Sequence, residues 1–295
     1  MHSGRSLTAS GGQSAGSRPT IHRLAVTWQH PVGRAIQPVA FLTFRGSRYR
    51  FHYIRNAATV TDFRPLLGFP DLSTSYESPH LFPLFAQRAM DPRRPDYERY
   101  ITSLGLEADA TPWEQIGRSG GPRQGDTLQL FPEPTVDQNG LLRCSFLVHG
   151  IRHIANQELP INGVRRTVSH DELEKTLGRL RTGDTLHLIE QPDNPANDHA
   201  YLTATGDGFP LGWLPDLLVD DVRALAAHRV DVTVEHVNGP DAVWHLRLLA
   251  RLSAQTPPDY RPFSGAKWLP YSHAPDQPNG PAHDVGKPGL STSGQ

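Results

Sequence analysis

The chain has 295 residues, of which 37% are hydrophobic and 20% are charged, so it can bury one or two ordinary cores. Its formal net charge of −1 gives no overall attraction to polyanions. The single cysteine, Cys144, excludes an internal disulfide framework and a cysteine-based zinc cage built by one chain. We therefore expect a soluble protein in a reducing, cytoplasmic compartment.

The first 20 residues have no apolar stretch after Arg5, so we expect a disordered leader there rather than a signal peptide or a membrane anchor. Residues 21–135 then predict a small α+β domain. Two β-rich runs, 39–44 and 48–54, flank Arg-Gly-Ser and predict a hairpin. The remaining predicted elements of this half are helices at 81–90, 96–106 and 111–119 and a strand at 127–131. The last helix has the N-cap signature of a capping box, with Thr111 followed three residues later by Glu114.

A segment with two prolines and an Asn-Gly pair, 131–140, interrupts the apolar pattern and predicts a linker. The second half, 141–253, begins with a β-rich run at 142–154. Two amphipathic helices are predicted, at 170–180 and 216–228. Further strands are predicted at 185–191, 200–205, 211–215, 230–237 and 243–252. Short strands around two helices indicate a small barrel or barrel-like α+β domain.

The end of the chain becomes rich in Pro, Gly, Ser and His, a composition that cannot offset the entropy of ordering itself. We predict a disordered tail over 266–295. Four aromatic residues near its start are candidate docking points onto a folded surface: Tyr260, Phe263, Trp268 and Tyr271.

Three ordered blocks in the second half carry a family signature: GIRHI at 150–154, GDTLHLIEQPDNPANDHAYLTA at 183–204 and GFPLGWLPDLLVDDVRALAAH at 208–228. Together they resemble the HIRAN domain. The resemblance implies an OB-like β-barrel with two helices that holds the 3′ end of single-stranded DNA and has no catalytic machinery of its own.

By this resemblance, Arg152 matches the arginine that holds a phosphate, and His153 matches the aromatic residue that stacks on a base. The sugar edge would be read by three residues of the following loop: Asp193, Asn194 and Asn197. Ala196 stands where many members place an aromatic residue, and Asn197 stands where they place an aspartate that accepts from the terminal hydroxyl. The resemblance thus implies single-strand binding more firmly than selectivity for a free 3′ end.

Trp213, in the segment LGWLP, has two interpretations. It either belongs to the core or rim of the predicted barrel, or it provides a stacking platform beside Arg152. Arg165 and Arg166, in a polar insert, either add phosphate contacts or are simply solvated.

The first half more loosely resembles the N-terminal region of HipA-type kinases, through FHYIRNA, FRPLLGFPDLSTSYESPHLFPLFAQRAM and SGGPRQGDTLQLFPEP over residues 39–134. The kinase core that would follow is absent. This resemblance keeps open a different role, in which the protein docks onto a kinase of that type or onto a helicase or nuclease.

The catalytic and metal motifs in the chain are weak. The Gly-rich segment 118–126 lacks the Gly-Lys-Ser/Thr of a P-loop and favours a turn between helix and strand. His149 and His153 are four residues apart on a segment predicted as strand and turn, where that spacing does not converge on one ion. No Gly-x-Ser-x-Gly elbow is present. We expect no enzyme activity and no cofactor, and nothing supports zinc.

The sequence therefore predicts a non-catalytic accessory protein that binds single-stranded DNA or a DNA 3′ end, a property typical of DNA repair. The alternative is a protein-interaction or regulatory partner. Residues 141–255 carry 11 basic and 15 acidic side chains, a balance that favours the alternative. DNA and RNA remain equally open as ligands.

Overall fold

The computed structural model of the chain describes residues 21–123, 125–161, 163–192, 194 and 197–272. Within these ranges the fold is mixed α+β, and its sheets are antiparallel. The strands of the first half are β1 (Arg23–Gln29), β2 (Ile36–Arg45), β3 (Arg48–Tyr53), β4 (Tyr76–Ser78) and β5 (Leu128–Pro132). Those that follow are β6 (Thr135–Val136), β7 (Leu141–Leu147), β8 (Glu158–Ile161), β9 (Val164–Thr167), β10 (Thr185–Gln191), β11 (Ala200–Thr205), β12 (Pro210–Trp213), β13 (Val230–Val237) and β14 (Leu248–Gln255).

Five α-helices lie in the described part of the chain: α1 (Pro83–Ala86), α2 (Tyr97–Ser103), α3 (Pro112–Ser119), α4 (His170–Arg179) and α5 (Asp216–Ala224). Short 3-10 helices are found at Arg55–Ala58, Ile151–His153, Trp244–Leu246 and Ala266–Trp268. The helix predicted over 81–90 is shorter than expected. In α3 the predicted capping box is present, because Thr111 Oγ1 accepts from the Glu114 amide and the Glu114 carboxylate accepts from the Thr111 amide.

The first sheet has the strand order β4-β3-β2-β1-β5. The predicted hairpin is confirmed: Arg45 pairs with Arg48, and the two residues between them, Gly46 and Ser47, have φ of 52° and 74°. Two consecutive residues with positive φ are typical of a turn that matches the twist of a hairpin. The sheet also contains β1, which was not predicted and which lies between β2 and β5.

The second sheet has the order β12-β11-β10-β13-β14-β7-β6. Its strands match most of the predicted ones, but the structure does not confirm the OB-like barrel. Among the described strands no continuous ladder closes the sheet, and only an isolated bridge between His149 and Trp213 connects the chain beyond β7 with β12. A separate hairpin, β8 with β9, was also not predicted.

The segment predicted as a linker is part of the sheets. β5 extends to Pro132, and β6 pairs with β7 through Thr135 and Val136. Asp137 closes the intervening turn by accepting from the amides of Asn139 and Leu141 at 2.9 and 3.0 Å. The two halves therefore follow one another without an extended connection.

Residues 266–272, which the prediction places in the disordered tail, are part of the fold. Trp268 is buried and stacks on Phe263 with ring centroids 4.6 Å apart, and it also stacks on Phe41 of the first sheet at 5.3 Å. Phe41 belongs to the same hydrophobic core as the interior of the second sheet. The aromatic residues proposed as docking points thus include two that pack into the fold. The predicted leader 1–20 and the rest of the predicted tail, 273–295, lie outside the described residues.

No helix in the described ranges is both long enough and apolar enough to cross a bilayer.

Candidate nucleic-acid interface

The segment GIRHI leaves β7 and lies against β12. His149 donates its amide to the Trp213 carbonyl at 2.9 Å, and the Trp213 amide donates to the His149 carbonyl at 2.8 Å. Gly150 has φ of 66°, and a Cβ there would lie 2.7 Å from the Trp213 ring. A Cβ on Gly212 would lie 2.5 Å from the His149 carbonyl oxygen. Neither position has room for a side chain. The glycines of two separate sequence blocks therefore allow the turn and β12 to approach each other closely.

This approach fixes the turn that carries Arg152 and His153. Both side chains are exposed, and Arg152 Nε donates to His153 Nε2 at 2.9 Å. The guanidinium and the imidazole are therefore held side by side. Neither forms an ion pair with a carboxylate of the described residues, so both keep capacity for a ligand.

Arg152 and His153 lie on one wall of a cleft of about 760 Å³ between the two halves. That volume falls within the range of ligand sites. Its charged lining consists of three arginines and one aspartate: Arg34, Arg118, Arg152 and Asp216. Three histidines also line it: His149, His153 and His245. Because Arg118 is paired with Glu235, the lining groups without an ion pair in the described ranges are two arginines and one aspartate. The cleft is thus locally cationic in a chain whose net charge is −1.

The loop that follows β10 reaches the same cleft through Asp216. Asn197 Nδ2 donates to Asp216 Oδ1 at 2.9 Å, while Asn197 Oδ1 accepts from the His199 amide at 2.9 Å. Asn194 Oδ1 accepts from the Asn197 amide at 3.4 Å. Of the three predicted loop residues, Asn197 therefore contacts the lining of the cleft through Asp216, and Asn194 contacts Asn197. The third, Asp193, lies outside the described residues.

Both polar atoms of the Asn197 side chain already have hydrogen-bond partners. The exposed Asp216 carboxylate, rather than Asn197, is therefore the group of this pair that can accept a hydrogen bond from a ligand. From the sequence, Asp216 is explained as an acidic residue at a helix start, favoured by the helix dipole. Its contact with Asn197 depends on how the loop meets α5. The sequence gives no signal for that contact.

Burial lowers the pKa of His149, and the nearby Asp216 carboxylate only partly offsets this while His245 adds to it. His149 is consequently uncharged at neutral pH.

Trp213 does not line the cleft, because its half-buried ring packs against Gly150. A different tryptophan, Trp244, does line it and lies within 5.2 Å of the Arg247 guanidinium. Trp244 was assigned to a strand over 243–252, whereas the residue begins a 3-10 helix. Arg165 pairs with Glu158, and Arg166 lies over the Phe209 ring, so both have partners away from the cleft.

The Gly-rich segment 118–126 connects α3 with β5, as a turn between helix and strand. Its first residue, Arg118, lies 2.7 Å from Glu235 of β13. Within the described ranges no three His, Cys, Asp or Glu side chains form a group able to hold a metal ion.

Comparisons with known proteins give weak similarities. No family model matches the chain, and no curated protein matches it. The structure is weakly similar to the HIRAN domain of human HLTF, with a TM-score of 0.26 and 12% identity over 40% of this chain and 81% of that one. A Lactobacillus plantarum protein gives a TM-score of 0.28 and 18% identity, over 39% of this chain and 97% of that one.

At such scores neither similarity identifies the function, so the site rests on its own geometry. The comparisons do not support the resemblance of the first half to HipA-type kinases, which stays a prediction.

Proposed function

We propose that this protein is a non-catalytic, cytoplasmic accessory protein that binds single-stranded nucleic acid, with a DNA strand or a DNA 3′ end as the ligand. The observation that carries the proposal is the exposed Arg152 guanidinium, held beside His153 on the wall of a cationic cleft. Arginine contacts a phosphate through two parallel hydrogen bonds, and a flat imidazole can stack on a base.

The remaining residues take supporting roles in this proposal. Asn194 and Asn197 position the Asp216 carboxylate, which would accept a hydrogen bond from a sugar hydroxyl at the strand end. Asp193 is retained as a candidate from the sequence, and Trp213 supports the turn by packing rather than by stacking on a base. Binding in a cleft of this charge should weaken as salt rises, because phosphate contacts release counterions.

The direct test is a fluorescence anisotropy titration of a labelled single strand with the intact protein and with Arg152→Ala. We expect Arg152→Ala to weaken binding about tenfold, the effect of losing roughly 1.4 kcal/mol. The matched control is Arg229→Ala, since Arg229 is also in the second half and is 86% exposed but does not line the cleft. Equal affinities for both variants would refute the site.

The role of the strand end is tested by comparing a 3′-hydroxyl strand with a 3′-phosphate strand. If Asp216 accepts from the terminal hydroxyl, the phosphate should bind more weakly because it brings negative charge against the carboxylate. Asp216→Asn should remove most of this difference. Equal affinity for the two strands would contradict recognition of the 3′ end, while general single-strand binding would still stand.

A second candidate function is that of a protein-interaction partner for a kinase, helicase or nuclease. The acidic balance of residues 141–255 favours it, because acidic surfaces repel polyanions. Purification of the native protein with a stoichiometric protein partner, and without nucleic acid, would support this function. A role in DNA repair would follow from the identity of such a partner.

A further inference from the structure

The part of the cleft wall that the first half builds contains Arg34. Arg34 lies in the turn between β1 and β2, which backbone hydrogen bonds fix: the Arg34 amide donates to the His30 carbonyl, and the His30 amide donates to the Ala35 carbonyl, both at 2.9 Å. Gln29 Nε2 also donates to the Arg34 carbonyl at 3.1 Å. The position of Arg34 on this wall is therefore set by the backbone, while its side chain extends from an exposed residue.

The other arginine contributed by the first half, Arg118, is already engaged. Its guanidinium lies 2.7 Å from Glu235, and both side chains are only 12% exposed. Ser145 also donates to Glu235, at 2.5 Å. This ion pair connects α3 with β13 of the second sheet. Arg34, by contrast, forms no ion pair with a carboxylate in the described ranges.

We propose that the binding site is composite, with the strand crossing the cleft so that Arg152 holds one phosphate and Arg34 holds a second. This inference rests on the proposed function and extends it to the first half of the molecule. A cleft of about 760 Å³ that is lined by an exposed arginine from each half suits a ligand with repeated phosphates better than a single anion. The two halves would then form one binding unit.

The consequence can be measured as a salt dependence. For single strands, each phosphate contact contributes about −0.7 to the slope of log affinity against log salt concentration. Removing Arg34 should make that slope shallower by about 0.7 and should weaken binding about tenfold at low salt. Arg34→Lys should keep most of the slope, since it keeps the charge.

The experiment uses the full chain and a labelled deoxythymidine strand of about ten nucleotides, a length within the range that one single-strand module covers. The variants are Arg34→Gln, Arg34→Lys and Arg152→Ala, and each is checked by thermal melting. The matched control is Arg45→Gln: Arg45 is exposed at the far end of the ten-residue strand β2, roughly 30 Å from Arg34 by strand rise.

A loss of affinity and slope in Arg34→Gln, with Arg45→Gln unchanged, supports the composite site. If Arg152→Ala weakens binding while Arg34→Gln matches the Arg45→Gln control, the composite site is overturned and the proposed function stands. If Arg152→Ala also binds like the intact protein, the proposed function itself fails.

Discussion

The two walls of the cleft are held by different forces. The wall from the second half depends on close backbone packing, in which Gly150 and Gly212 let the turn lie directly against β12. The wall from the first half depends on charge, through Arg118 with Glu235 and through Arg88, which secures the turn that follows α3. The difference implies that one wall is sensitive to added volume, whereas the other is sensitive to the loss of a charge.

The largest expected effect is on the charged wall. The Arg88 side chain is fully buried, pairs with Asp126 and donates to the Gly121 carbonyl at 2.8 Å. Arg88→Ala leaves a carboxylate and a carbonyl without their partner, so the free energy of unfolding should fall by about 3–5 kcal/mol in a urea titration. Arg93→Ala, which removes a fully exposed pair with Asp91, should leave the free energy of unfolding nearly unchanged. Similar losses for the two variants would contradict the charge-based account.

The next effect concerns α5, which begins at the packed wall and contains buried Asp221. Burial raises the pKa of Asp221 to about 6 from 3.8, although the hydrogen bond from Tyr260 opposes the shift. Since the folded-state pKa is the higher one, the stability that this group contributes is complete below pH 3.8 and is lost as pH rises through about 6. The loss amounts to about 3 kcal/mol.

Asp221→Asn imitates the protonated form, so it should match the intact protein near pH 4 and exceed its stability at pH 7. Urea unfolding at both pH values checks this expectation. Asp220→Asn is the control, because the Asp220 side chain is 69% exposed and pairs with Lys267 at the surface. If the free energy of unfolding of Asp221→Asn depends on pH in the same way as that of the intact protein, folding does not raise the pKa of Asp221.

The smallest expected effect tests the packed wall. Gly150→Ala places a Cβ against the Trp213 ring and forces a positive φ on alanine, so we expect a loss of about 2 kcal/mol. Binding of a single strand should also fall, because Arg152 and His153 move with the turn. Gly208→Ala is the control. Gly208 also has a positive φ, of 80°, but an added Cβ meets nothing within 4 Å, so only the backbone cost of about 1 kcal/mol applies. Equal losses would show that packing on Trp213 is unimportant.

The elements that the sequence predicts well are those set by local chemistry. The β2–β3 hairpin follows from a turn between β-rich runs, and the α3 cap follows from Thr111 and Glu114, which are three residues apart. The contact between the GIRHI and LGWLP blocks was not predicted, although each block contains a glycine that the approach requires.

The first-half wall of the cleft could not be predicted in this way. Arg34 becomes a site residue only because β1 and β2 place it in the same cleft as a turn more than 100 residues later in the chain, and no local pattern encodes that placement. The same applies to Asp216, whose contact with Asn197 is tertiary. Composition predicts a disordered tail that includes Trp268, but the packing of Trp268 on Phe41 and Phe263 is tertiary and leaves no signal in the composition.

The return of the chain at Trp268 has a practical consequence. After the second sheet is complete, Pro270 bridges to Ile54 and the Tyr271 amide donates to the Tyr53 carbonyl at 2.9 Å. The polypeptide therefore crosses between the halves twice, once on the way out and once on the way back. A fragment cut to residues 141–253 lacks both Phe41 and Trp268, which belong to the same hydrophobic core as the interior of the second sheet. It should therefore expose apolar surface and aggregate more readily than the whole chain.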